Sequence, residues 1–125
     1  MTDLNKLSQQ IYEGNKQRGF DVAKENVGQT LMLVVSELAE ALEADRKNKH
    51  AKMDAFEFRA EDRKCLEDFK CDFEELIKDS FEDEIADAII RLFDLCGGLN
   101  IDIERHIKLK LEYNETREYK HGKLY

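Results

Sequence analysis

The chain contains no proline and no tryptophan, and only six glycines and three cysteines in 125 residues. Without proline, helices run uninterrupted and proline-marked turns are missing. The few glycines form neither GxxxxGK[ST] nor GxGxxG, so a phosphate-cradling glycine loop is excluded, and GxSxG is absent as well. The cysteines, Cys65, Cys71 and Cys96, are odd in number and lack CxxC spacing, which argues against a disulfide framework or a zinc site. Cys96 lies in an apolar run and is most simply core. No cysteine has a persuasive histidine partner. Of His50, His106 and His121, only His121 follows a glutamate by three residues, after Glu118; a di-iron carboxylate bundle needs the Glu-x-x-His motif twice, so that reading fails. An EF-hand loop is missing too. No apolar run approaches the roughly 20 residues that span a bilayer, so no membrane partner is expected. The N-terminal MTDLNKLSQQ lacks a signal-peptide pattern, and the expected compartment is the cytoplasm. A formal net charge of −8 argues against broad DNA or RNA polymer binding. A nucleotide held by a few local cations stays open.

What is present reads as helix. The length suits a single domain. Residues 4–18 carry Leu4, Leu7, Ile11 and Tyr12 at helical spacing and end near Gly19. Residues 28–47 form a second helix, with Arg46, Lys47 and Lys49 at its C-terminal end, where cations suit the dipole. The charged stretch 50–79 reads as helical but broken, with Phe56, Phe58, Leu66, Phe69, Phe73, Leu76 and Ile77 interspersed. Residues 81–97 form another helix, with Ser80 as N-cap, Asp83 as its capping-box partner, and Gly97 and Gly98 as its stop. A last helix runs from about Asp102 to Thr116 and leads into a basic tail. The run LMLVV has strand-like composition, but it continues unbroken into SELAEALEA, and helix is the better assignment. The expectation is an all-α fold: a four- to five-helix antiparallel bundle around one core.

The stretch LVVSELAEAL looks bound for the interior, yet it contains Glu37 and Glu40. FEDEIADAIIRLF repeats the pattern with Glu84 and Asp87. Side chains three apart share a helix face, about 5–6 Å from each other at Cβ. Like charges there repel, and partial burial raises the cost unless something positive compensates. Only Arg91 lies on the Glu84–Asp87 stripe. A hard divalent cation compensates better, and Mg²⁺ takes oxygen ligands. Glu37, Glu40, Glu84 and Asp87 are therefore read as a Mg²⁺ site between helices. Taken alone, each pair is more often a solvated face than a site. Glu43, Glu82 and Asp83 are better explained as solvated or capping residues. Asp94 continues the stripe as an outer support or as a solvated residue.

The C-terminal KLKLEYNETREYKHGKLY supplies cations. Lys110, Asn114 and Arg117 fall on one helix face and can grip phosphate oxygens, the arginine bidentately. Their alternative role is to complement the helix dipole. Beside four carboxylates, phosphate grips suggest a nucleoside polyphosphate.

SELAEALEADR and FEDEIADAIIRL, followed by KLEYNETREYKHGK, resemble the E-x-x-E … E-x-x-D signature and basic tail of the MazG-like all-α nucleoside triphosphate pyrophosphohydrolases. The resemblance runs from about Leu7 to Tyr125. It implies hydrolysis of a (d)NTP to the (d)NMP and pyrophosphate, with Mg²⁺, or Mn²⁺ in its place, carried by Glu37, Glu40, Glu84 and Asp87. It implies triphosphate contacts from Lys110, Asn114, Arg117, Lys120 and Lys123, and assembly as a homodimer or homotetramer that completes the bundle. Glu37 or Glu40 would act as general base. Base recognition would fall to Asn15, Lys16 and Phe20, although core packing is the plainer assignment for Phe20. The interval between Glu40 and Glu84 is longer than in compact members, so residues 48–79 read as an inserted or extended helical segment of a single MazG-like domain. Clearance of damaged nucleotides, or house-cleaning, is one role such an activity would serve. The alternative, from a different class, is a non-catalytic helical interaction module with a solvated acidic face and a partner-binding basic tail.

Overall fold

The computed structural model describes residues 3–117. Its regular structure is entirely helical among those residues: α1 (Asp3–Gln17), α2 (Val27–Arg46), α3 (Met53–Phe58), α4 (Leu66–Leu76), α5 (Phe81–Gly98) and α6 (Ile103–Glu115), with 3₁₀ turns at Lys24–Asn26 and Ala60–Asp62. The count exceeds the expected four or five because the stretch 50–79 resolves into two α-helices with a 3₁₀ turn between them. No helix among the described residues is long and apolar enough to cross a membrane. The chain forms two compact units, one of Glu25–Leu92 and one of the chain up to Lys24 with Phe93 onward.

Three helices end in the same way. Gly19, Asn48 and Asn100 have positive φ, of 94°, 53° and 55°. After each, an N–H reaches back five residues: Phe20 to Asn15 (2.9 Å), Lys49 to Ala44 (2.8 Å) and Ile101 to Cys96 (2.9 Å). This is the Schellman closure, and glycine or asparagine is the residue that tolerates its left-handed position. Gly19 ends α1 as expected. Gly97 and Gly98 do not stop α5; they lie inside its last turn, and Asn100 makes the stop. Their role is close approach. A Cβ on Gly97 would lie 2.7 Å from both the Ser8 carbonyl oxygen and Tyr12 Cβ, and one on Gly98 2.8 Å from the Val22 carbonyl oxygen.

That close approach organises the first unit. The buried Ser8 hydroxyl donates to the Phe93 carbonyl (2.5 Å), and Gln9 donates to Gly97 (3.2 Å). Asn5 donates to Asp102 (2.7 Å) and accepts from the Glu104 N–H (3.3 Å), while Asp102 caps α6 by accepting from the Arg105 N–H (3.1 Å). Cys96 is buried, as expected of a core thiol.

In the second unit, α2 departs from its hydropathy. The face it buries is Thr30, Val34, Glu37, Ala41 and Ala44. The larger apolar stripe Leu31, Val35, Leu38 and Leu42 is 44–52% exposed. Both stripes have the alternating three- and four-residue spacing of one helix face. Hydropathy points the large side chains inward, whereas packing within the chain covers the stripe of small residues beside them.

The segment 50–79 is held by charge and aromatic contacts. Arg63 stacks 3.9 Å over the Phe56 ring and donates to Asp72 (2.8 Å) and to the Phe56 carbonyl (2.5 Å). Arg59 donates to Asp72 (3.3 Å) and Glu75 (2.8 Å). Phe56 and Phe69 meet edge to face at 5.8 Å. Ser80 begins α5 as expected, accepting from the Asp83 N–H (3.2 Å). The Asp83 carboxylate reaches back one residue further than a capping box does, to the Asp79 N–H (2.9 Å).

Candidate metal centre

Glu37 lies on the buried face of α2, and Glu84 and Asp87 lie on α5, one turn apart. Their carboxylate oxygens come within 4.8 Å of one another. Glu37 is 8% and Glu84 4% exposed, and Asp87 is half-buried. Glu40 is exposed and stands outside this close trio. It is still near enough to act on both Glu37 and Glu84.

Arg91 donates from Nε to Glu37 Oε1 at 2.9 Å. Glu84 Oε2 is buried with no hydrogen-bond partner among the described residues. The titration shifts follow from this asymmetry. Burial opposes the charge on Glu37, but the Arg91 hydrogen bond, helped by Glu84 and Glu40, outweighs it and holds the carboxyl below its usual range. Burial, then the Glu40 and Glu37 carboxyls, pushes Glu84 up to about 8. Burial, then the charges of Asp83 and Glu37, raises Asp87. Three carboxyls thus face one guanidinium, and Glu84 resists ionising unless a cation joins it. An all-oxygen donor set with a buried, unpartnered carboxylate oxygen fits a hard dication.

Arg91 is not among the expected site residues. Its signal was present in the sequence, since it falls four residues after Asp87 on the same stripe. Asp79 and Asp83 form a second close acidic group with Glu84, but Asp83 is committed to the Asp79 N–H. Glu43 pairs with Lys47 (3.2 Å), and Glu82 clamps the Ala51 N–H (2.9 Å) and His50 (3.0 Å). Those two residues are the solvated and capping groups expected.

The basic and base-recognition candidates belong to the other unit. Lys110 Nζ lies 5.0 Å and the Arg117 guanidinium 5.7 Å from the centre of the same Tyr113 ring. Asn114 Oδ1 is buried without a hydrogen-bond partner among the described residues. Asn15 donates to the buried Asp94 (3.1 Å) and accepts from Arg18 (2.6 Å), so its amide is engaged within the unit. Lys16 Nζ sits 5.8 Å from the Tyr12 ring centre. Phe20 is 68% exposed, which overturns core packing as its assignment: it follows the left-handed Gly19 turn, which carries it off the end of α1. Lys120 and Lys123 lie outside the described residues.

The fold and centre together define an all-helical protein with a buried carboxylate cluster. Compared with known proteins, the chain matches no family model, no curated protein and no solved structure.

Proposed function

We propose that this protein is a Mg²⁺-dependent nucleoside triphosphate pyrophosphohydrolase, converting a (d)NTP to the (d)NMP and pyrophosphate. Glu84 carries the reading: it is 4% exposed, its Oε2 has no partner among the described residues, and it faces Glu37 and Asp87. Glu37, Glu84 and Asp87 would hold the ion, with Glu40 at the margin. A magnesium ion there would neutralise polyphosphate charge and lower the pKa of the attacking water. Arg91 keeps Glu37 ionised and fixed, which leaves the exposed Glu40 as the carboxylate freer to take a proton from water. Lys110 and Arg117, both near the Tyr113 ring, and Asn114 are the proposed triphosphate contacts. The exposed ring of Phe20 offers a stacking face for the base. House-cleaning of nucleotide pools is the role this activity would serve.

A second copy of the chain belongs to the same proposal. The stripe Leu31, Val35, Leu38 and Leu42 is more apolar than a helix normally leaves in water, and an equivalent stripe from another copy would cover it. Light scattering after size exclusion should report a dimer or tetramer, and Leu38→Lys should shift it toward monomer. A monomer at micromolar concentration would remove this part of the proposal.

The enzyme proposal is tested by a panel of NTPs and dNTPs with Mg²⁺ or Mn²⁺ and pyrophosphate detection. Turnover of at least one nucleotide is expected. Silence across the panel with either ion rejects it in favour of the interaction module. Release of phosphate in place of pyrophosphate replaces the reaction with a different cleavage.

A further inference from the structure

A cavity of about 370 Å³, lined by none of the carboxylate trio, lies where the end of α2, the end of α4 and the start of α5 come together. It is lined by Lys47, Lys49, Lys52 and Lys78, with His50 and the α5 cap Ser80 beside them; Glu75 is its single carboxylate. In a chain of net charge −8, four lysines against one acid is a local reversal of sign. Glu75 is already bound by Arg59 at 2.8 Å. Lys47 pairs with Glu43 at 3.2 Å, both well exposed. Lys49, Lys52 and Lys78 form no ion pair among the described residues, and Lys52 feels Glu75 only at longer range.

Lysines near helix C-termini often serve the terminal carbonyls. Here much of that work is done by backbone. Ala44 and Asp45 carbonyls accept from the Lys49 and Asn48 N–H groups, Phe73 accepts from Ile77 and Lys78, and Leu76 accepts from Lys52. The loop that presents the lysines is itself pinned: Lys49 accepts from the Phe81 N–H (2.9 Å), Lys52 donates to Leu76 (2.9 Å), and Glu82 holds both Ala51 and His50. A fixed frame thus carries uncompensated ammonium groups around a space at the lower end of the ~300–1,000 Å³ typical of small-molecule sites.

We infer that this lysine-lined cavity is a binding seat for a diphosphate group, supplied by inorganic pyrophosphate or by a nucleoside diphosphate. Compact ammonium charges suit a small, multiply charged oxyanion and read no base. The seat needs no divalent cation, whereas the carboxylate centre repels a bare polyphosphate. Chelation therefore separates the two.

The experiment is calorimetric titration of the full chain in EDTA at low salt with pyrophosphate, ADP and adenosine. Pyrophosphate and ADP should bind and adenosine should not. ADP matching pyrophosphate identifies a seat for the diphosphate alone, and ADP binding more tightly identifies a nucleotide; either supports the inference. The triple variant Lys49→Ala, Lys52→Ala, Lys78→Ala should weaken binding about tenfold, and the corresponding triple arginine variant should restore it. Lys110→Ala with Arg117→Ala, which removes the proposed triphosphate contacts, reads any binding there separately. Absence of pyrophosphate binding in EDTA overturns the inference, as does loss only in the Lys110/Arg117 variant. Because no metal and no turnover enter the measurement, its failure leaves the proposed hydrolase standing, and the converse holds.

Discussion

Two groups of charged side chains in the same unit solve opposite problems. Around Arg63, two guanidiniums meet two carboxylates. Hydrogen bonds from Arg63 hold Asp72 below its usual range, and those from Arg59 do the same for Glu75. Around Glu84, three close carboxyls share one guanidinium, and Glu84 rises to about 8. The first group is complete within the chain and fastens α3 to α4. The second is incomplete within the chain. Balanced charge at one place builds structure, and unbalanced burial at the other leaves an excess of negative charge that a cation would offset.

The sharpest way to break the comparison is Glu84→Gln. If the centre is a metal site, activity should fall by more than about 100-fold, while the metal-free protein becomes more stable near neutral pH because folding no longer has to protonate Glu84. Thermal melts with and without Mg²⁺, alongside the pyrophosphate assay, read both arms. A variant as active as the parent would end the distinction between the groups.

Arg63→Ala attacks the balanced group. It removes the Asp72 bond and the stacking on Phe56 together, and the melting temperature should drop on the order of 10 °C. Mn²⁺ affinity, followed by electron paramagnetic resonance, should be unchanged. Loss of metal binding in this variant would show that the two groups are not separable.

The pH response sharpens the contrast. A glutamate whose folded pKa is raised favours the folded state while protonated. That stability is present below its unfolded value near 4.5 and is lost as pH rises through about 8. Metal-free protein should therefore lose stability from Glu84 across that window. Mg²⁺ should reverse the trend, and calorimetry in buffers of different ionisation enthalpy should detect protons released as the ion binds. For Asp72 and Glu75 the sign is opposite: their pKa values are depressed, so their stabilisation is present above the unfolded carboxyl range and fades in acid.

The smallest effect is expected from Arg91→Gln. Removing the guanidinium frees Glu37, raises its pKa, and should change Mn²⁺ affinity by less than about tenfold, because Arg91 is itself partly exposed and screened.

Much of the fold is legible in the sequence. The α1, α2, α5 and α6 boundaries fall within a residue or two of those read from periodicity and caps. Gly19, Ser80 and Asp102 act locally, through backbone angle or a neighbouring N–H, so their roles are visible in a short window. Gly97 and Gly98 look like a stop in a short window because their contacts, Ser8, Tyr12 and Val22, lie far away in the chain. The spacing of Glu84 and Asp87 announced a shared face. Nothing local revealed that Glu37 would be covered and Glu40 left outside, since both sit in the same apolar run.

The order of residues by itself determined that the chain is helical, where most helices begin and end, and which carboxylates share a face. Those outcomes depend on interactions within a few turns. Tertiary structure alone decided that α2 buries its small-residue stripe rather than its leucines, that Arg91 serves Glu37, and that Glu84 Oε2 is buried without a hydrogen-bond partner among the described residues. These depend on which faces meet, and residues 54 positions apart, as Glu37 and Arg91 are, influence each other only after packing removes the water between them.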